Sequence, residues 1–228
     1  MKLKKEGNHE VWRGLVGEVV VASWKGTPIM RKRRCPTQRP VTEKVVKANK
    51  SFSIINGVAT QLRFAVDYAF QRDATARRIT PRNAFYTANK GNIIGETVEE
   101  MRFDYAHIVL GHGPLAKEVV TVHHSEDVGT KRRMWFSHVT DREGVALITD
   151  TVHVTVYCPE RKETNHCILQ RNSDPGALAH IDFPLKWVDH PVYLYAFAYN
   201  TLPTERLFGE QKVVPGDTSD TCVAVLED

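Results

Sequence analysis

Apolar residues along this chain follow two different rhythms. Near the front, "GEVVVASWKGTPIMRKRRCP" is dense in Val, breaks at Lys25-Gly26, resumes, and ends in four consecutive cations, Arg31-Lys32-Arg33-Arg34. Residues 17–24 and 27–33 therefore predict a β-hairpin closed by Lys25-Gly26, with the glycine supplying a positive φ. Pro28 near the start of the second strand suits an edge strand, because proline donates no ladder hydrogen bond. The prolines of "CPTQRP" then make an extended connector.

From Thr42 the period changes to that of a helix. Val45, Ala48, Phe52, Ile55, Ala59, Leu62, Val66 and Ala69 recur at alternating steps of three and four, which predicts one long helix over 42–70 with a heptad-like stripe. Thr42 is a suitable N-cap, and Glu43 favours the first turn. A two-stranded hairpin cannot cover a stripe of that length, so the expectation is that part of it meets the next helix and part meets another chain. A further helix is predicted where Thr80 caps, Pro81 takes the first position, and Gly91 or Gly95 ends the element. Ala84, Phe85, Ala88 and Asn89 are expected on its inner side.

After about residue 102 short strand-like runs alternate with turn residues: "FDYAHIVL", "KEVVTVHH", "RRMWFSHV", "DTVHVTVYC", "HCILQ", "ALAHIDF", "VYLYAFAYN" and "TCVAVLED". Strands at this spacing predict an all-β sandwich of immunoglobulin-like or fibronectin-like size. The fold class expected is thus α+β: a hairpin-helix module over 1–102, then an immunoglobulin-like domain over 103–228.

Charge sharpens that division. The 228 residues carry a formal +4, but residues 1–102 hold 20 Lys/Arg against 9 Asp/Glu, a net +11, and residues 103–228 hold a net −7. Such polarity predicts a basic end drawn to anionic surfaces and an acidic end repelled by them. The basic N-terminus "MKLKKEGNHE" has no apolar region behind it, so a secretory leader and a membrane anchor are not expected. Cys35, Cys158, Cys167 and Cys222 are too scattered for a disulfide framework. Cys158 and Cys167 flank "PERKETNH" and could sit across a hairpin from one another.

The order of these pieces resembles a known family. "GLVGEVVVASWKG", "RRCPTQRPVTEKVVKANKSF", "ITPRNAFYTANKGNIIG" and "VTVYCPERKE" are similar to segments of an uncharacterised family common in Bacteroidota, over nearly the whole chain. The most specific pieces are Trp24-Lys25-Gly26, the Pro-Thr-Gln link, and Asn83-Ala84-Phe85. Many members have Asn-Pro-Arg-Thr where this chain has "RPVT" at 39–42; the helix cap is kept and the Asn is not. The resemblance implies an N-terminal hairpin with helices before a C-terminal immunoglobulin-like domain. It brings no catalytic residues, and its layout is similar to small structural proteins of phages and prophages.

Candidate chemistry is thin. "GHGPLA" at 111–116 fits a dinucleotide fingerprint only if a helix follows, and Pro114 with "KEVVTVHH" predicts a strand instead. The ten histidines show no paired ligand spacing of the zinc type. No nucleophile elbow or metalloprotease helix occurs, and no cofactor, metal or small-molecule substrate is expected. The positive signal is the cation block. The expected partner-binding residues are Trp24, Lys25, Arg31, Lys32, Arg33 and Arg34, with Phe52, Ile55, Leu62 and Val66 on the stripe. The function expected is a non-enzymatic assembly protein of a multi-subunit particle, such as a bacteriophage head, collar-ring or decoration subunit. It would join a virion assembled in the host cytoplasm and contact copies of itself or neighbouring subunits. A cytosolic nucleic-acid-binding protein using the same basic patch is the alternative.

Overall fold

Short strands, each paired antiparallel with the next, fold the front of the chain into a meander. The structure, a computed structural model, describes residues 2–6, 9–24, 27–34, 40–141, 144–147, 149–171, 177–202, 205–208 and 211–226. The protein is of mixed α+β type with mostly β structure, and it divides into two compact units, Met1–Thr42 and Glu43–Asp228.

The first unit is one sheet of β1 (Lys2–Glu6), β2 (His9–Val16), β3 (Val19–Trp24) and β4 (Thr27–Lys32), in that order. The expected hairpin is β3–β4, with Val19 opposite Lys32 and Trp24 opposite Thr27; its turn, Lys25-Gly26, lies outside the described residues. Gly17, at φ 58°, takes the left-handed conformation that the β2–β3 turn requires. Pro28 lies on β4, an edge strand as expected. Strands β1 and β2 were not expected, because charges and Gly14 interrupt their alternation.

The second unit opens with α1 (Glu43–Gln61), α2 (Arg63–Ala76) and α3 (Pro81–Asn89). The single long helix expected is therefore two, divided at Leu62, where φ is −88° and ψ is 23°. Leu62 N still donates to Val58 O at 2.9 Å and Val66 N to Leu62 O at 2.9 Å, so the apolar stripe runs on across the break. The α3 start is as the sequence predicts: Thr80 Oγ1 accepts from Asn83 N at 3.2 Å, with Pro81 in the first turn.

A short pair, β5 (Ile93–Ile94) and β6 (Arg102–Phe103), leads into the β region. The strand expected over "FDYAHIVL" is absent, because Asp104 caps a 3-10 turn at Tyr105–His107. The remaining strands are β7 (Glu118–Val128), β8 (Lys131–Thr140), β9 (Thr151–Cys158), β10 (Glu163–Gln170), β11 (Leu178–Pro184), β12 (Val192–Tyr199), β13 (Arg206–Phe208), β14 (Gln211–Val213) and β15 (Cys222–Leu226). They form a four-stranded sheet, β10-β9-β12-β15, and a three-stranded sheet, β11-β8-β7, both antiparallel, with β13–β14 as a separate hairpin. Cys158 pairs with Glu163 and Cys167 with Val154, so the two cysteines are not cross-strand neighbours; both are free thiols.

Two cores use opposite faces of the same strands. Val152, Val154, Val156, Leu194 and Ala196 meet Met134, Phe136, Ile181 and Phe183 between the two sheets. The other parity of β9 and β12, Tyr157, Tyr195 and Phe197, packs against Ile55, Leu62, Val66, Phe70 and Phe85 of the helices. Tyr157 also donates its hydroxyl to Gln61 of α1. Burying each such large side chain is worth about 1.5–3 kcal/mol. The expectation that another chain covers part of the helical stripe is corrected from Ile55 onward, where the sheet and α3 cover it; Val45 and Phe52 stay exposed. The boundary expected near residue 102 falls instead between Thr42 and Glu43, because that shared core joins the helices to the strands.

Candidate docking surface

In β3, three consecutive valines precede Ala22 and Ser23, so both faces receive apolar residues, and β4 sets Lys32, Arg31, Met30 and Ile29 opposite Val19, Val20, Val21 and Ala22. Paired residues of an antiparallel ladder share a face. One face thus combines Val16, Val19, Val21 and Met30 with Lys32, and the other combines Leu15, Val20, Ala22 and Ile29 with Arg31. Both faces are apolar in part. None of the described side chains between Gly14 and Thr42 is buried, and Met30 is 72% exposed. Arg31, Lys32, Arg33 and Arg34 are all exposed. Lys32 lies 3.6 Å from Glu18, an ion pair in full solvent that adds little. Residues 1–42 contain 10 Lys/Arg and 3 Asp/Glu, a net +7.

The expected partner-binding residues therefore separate. Arg31–Arg34 stand together on or beyond an edge strand. Trp24 ends β3, its side chain outside those described, and Lys25 is outside the described residues altogether. On the helices, Ile55, Leu62 and Val66 are 0–2% exposed and are core, not contact, residues. Phe52 is 51% exposed and meets Tyr86 edge-to-face at 5.2 Å. Val41, Val45 and Val46 are exposed beside it in sequence, so the uncovered apolar length is the start of α1 and not its whole stripe.

In the "GHGPLA" loop and at the ends of the principal strands the polar chemistry is spent on structure. Gly111 and Gly113 of "GHGPLA" lie so close to the carbonyls of Ser219 and Thr218 that a β-carbon would collide with them. The Leu110 and Gly111 amides donate to Thr221 Oγ1 at 2.7 and 2.8 Å. These glycines thus serve close backbone packing, and the amides of Gly111, His112, Leu115 and Ala116 are already taken. A buried charge network sits where β7, β9 and β10 end: Arg171 donates to Glu118 at 2.6 Å and to Asp150 at 2.8 Å, and His138 Nδ1 lies 3.1 Å from Glu118. Burial opposes ionisation of Glu118, but His138, Arg171 and Thr140 together hold its carboxyl below the usual range. Burial pushes Asp150 upward. Sequence reading missed this network because its members are distant in the chain.

Two clefts, of about 610 and 600 Å³, border α2 and share Arg72, Ala76 and Gly216. Their charges are matched: Arg72 pairs with Asp217, Arg77 with Asp73 at 2.9 Å, and His112 with Asp220 at 3.0 Å. Among the described residues no group of three or more His, Cys, Asp or Glu side chains could hold a metal ion, and no helix is long and apolar enough to cross a membrane.

Residues 11–200, from within β2 through β12, match the model of one protein family. The chain belongs to DUF6266, a family of unknown function. The match includes β3, β4, all three helices, the β11-β8-β7 sheet, and β9, β10 and β12 of the other principal sheet, so the DUF6266 region spans both units. No curated protein and no solved structure matches the chain.

Proposed function

We propose that this DUF6266 protein is a non-enzymatic assembly component that docks through the sheet of residues 1–42. The observation that carries this reading is the sheet itself: it has apolar residues on both faces, a net +7, and no buried side chain among those described between Gly14 and Thr42. A sheet with two apolar faces is stable when both are covered, and four cations at one edge select an acidic cover. The 43–228 unit has its own cores and serves as the body that such docking carries. A subunit of a multi-subunit particle, of which a phage or prophage virion is the concrete case, fits this division of labour.

The finer fold reading supports the same role. Labelling β7, β8, β9, β10, β11, β12 and β15 as A, B, C, C′, E, F and G gives sheets A-B-E and C′-C-F-G, a strand order that supports reading this region as a fibronectin-like member of the immunoglobulin-like sandwiches. Such sandwiches are common in extracellular and surface-display proteins, although fold alone does not decide function.

Charge reversal tests the docking reading. Replacing Arg31, Lys32, Arg33 and Arg34 by Glu changes only exposed side chains. It should leave the melting temperature of the full chain unchanged and abolish self-association or capture of acidic partner subunits in sedimentation. Unchanged association would refute docking through this edge. The cation block also favours a second reading, nucleic-acid binding. Affinity for a DNA duplex that falls steeply with log salt would establish that alternative in its place.

A further inference from the structure

The two principal sheets differ on their outer faces. Helices cover one side of β10-β9-β12-β15, whereas the outer side of β11-β8-β7 carries two ordered rows of side chains. Trp135 of β8 stands directly opposite His124 of β7 and His180 of β11. The His124 and Trp135 rings are nearly parallel, at 21° with centroids 6.1 Å apart, and His180 tilts at 50° with a centroid separation of 5.0 Å. His124 and His180 are exposed. None of the three belongs to either large core.

Two residues along each strand, and so on the same face, lies the second row: Glu126, Arg133 and Asp182, again in direct register. Arg133 holds Asp182 through two bonds of 2.8 and 3.2 Å, and its guanidinium lies 5.9 Å from the Trp135 ring centre. Trp135 Nε1 donates to Glu126 at 3.0 Å. These bonds hold Trp135, Glu126, Arg133 and Asp182 in place before any ligand arrives, which lowers the ordering cost of binding.

We propose that this face is a binding platform for a neutral saccharide chain. A strip of three aromatic rings, one per strand, offers an apolar surface to the C–H face of successive sugar rings. The neighbouring carboxylates and guanidinium, with acceptor and donor capacity left at Glu126, Asp182 and Arg133, meet the equatorial hydroxyls. Nucleic acid would also stack on such rings. Here Glu126 and Asp182 flank Arg133, and Lys131 follows two residues along the same face, so the charges balance and a polyphosphate gains no net attraction, while an uncharged polyol needs none. The bulge in β7 between Val122 and His124 brings His124 onto the face of Trp135; without it the alternation would put His123 there. His123 instead lies 2.8 Å from Ser137 Oγ.

Affinity electrophoresis of the full chain through gels containing laminarin, hydroxyethylcellulose, xylan or galactomannan tests the proposal, with alginate and single-stranded DNA as anionic probes. At least one neutral glycan should retard the protein, with little change between low and moderate salt. Trp135→Ala should weaken that retardation at least tenfold and His180→Ala severalfold, while Trp135→Phe keeps most of it. A thermal melt of each variant separates lost binding from lost folding. Failure of all four neutral glycans to retard the protein, retardation unchanged in Trp135→Ala, or retardation by the anionic probes alone would overturn it. Each outcome is independent of docking by residues 1–42.

Discussion

Residues 1–42 and residues 43–228 put their apolar residues to opposite ends. In the larger unit Ile55, Phe85, Tyr195 and Phe197 are all 0–1% exposed, and each strand of the central pair β9 and β12 is covered on both sides. In the smaller unit Leu15, Val16, Ile29 and Met30 remain in solvent. Backbone pairing alone gives a sheet little stability in water. The difference teaches that apolar content signals a core only when a second layer is present to receive it. Residues 43–228 supply their own layers, and residues 1–42 present a surface.

The widest gap between the units should come from matched truncations. Phe85→Ala empties a closed site between α3 and the sheet and should cost about 3–5 kcal/mol in a urea melt. Met30→Ala, at 72% exposure, should cost less than about 0.5 kcal/mol in the same experiment. A Met30 penalty as large as that of Phe85 would mean that the meander has a core after all.

Acid should act on the core of the larger unit. His153 and His166 sit under Phe64 and Tyr68 of α2, with their ring centroids 5.3 Å apart. Burial lowers both to about 4, and for His153 the neighbouring imidazole adds to the effect. The unfolded chain protonates these rings near pH 6.5 and the folded chain only near pH 4, so stability is full above that window and declines as pH falls through it. The expected loss is a few kcal/mol. His153→Phe should remove about half of the slope, and a flat profile between pH 6.5 and 4 would contradict the burial of this pair.

Much of the local structure is legible in the sequence. Thr80 and Pro81 specify the α3 start because a cap acts within four residues, and the β3–β4 hairpin follows from the valine run and its break. The mutual cover of helices and sheet was not legible in the same way, since Ile55 and Tyr195 meet across well over a hundred residues. One signal was nevertheless present. In "TVHVTVYC" and "VYLYAFAY" one parity is aliphatic and the other is mostly aromatic, without a single charge; a solvent-facing parity would carry charges, as "RRMW" of β8 does. Reading that aromatic parity as the receiver of the α1–α2 stripe would have assigned the cover to this chain. The break at Leu62 had no comparable signal, because no Gly or Pro marks it. The Arg171 network escaped for the same reason of distance, joining Glu118, Asp150 and Arg171 from three separate strand ends.

The most direct test of the contrast is amide hydrogen exchange of the intact chain, followed by mass spectrometry at high dilution. Peptides from β9 and β12 should be protected to nearly the full unfolding free energy, while peptides from β3 and β4 exchange rapidly and gain protection only as concentration rises or a partner is added. Equal, concentration-independent protection of β3 and β4 in the dilute monomer would contradict the account.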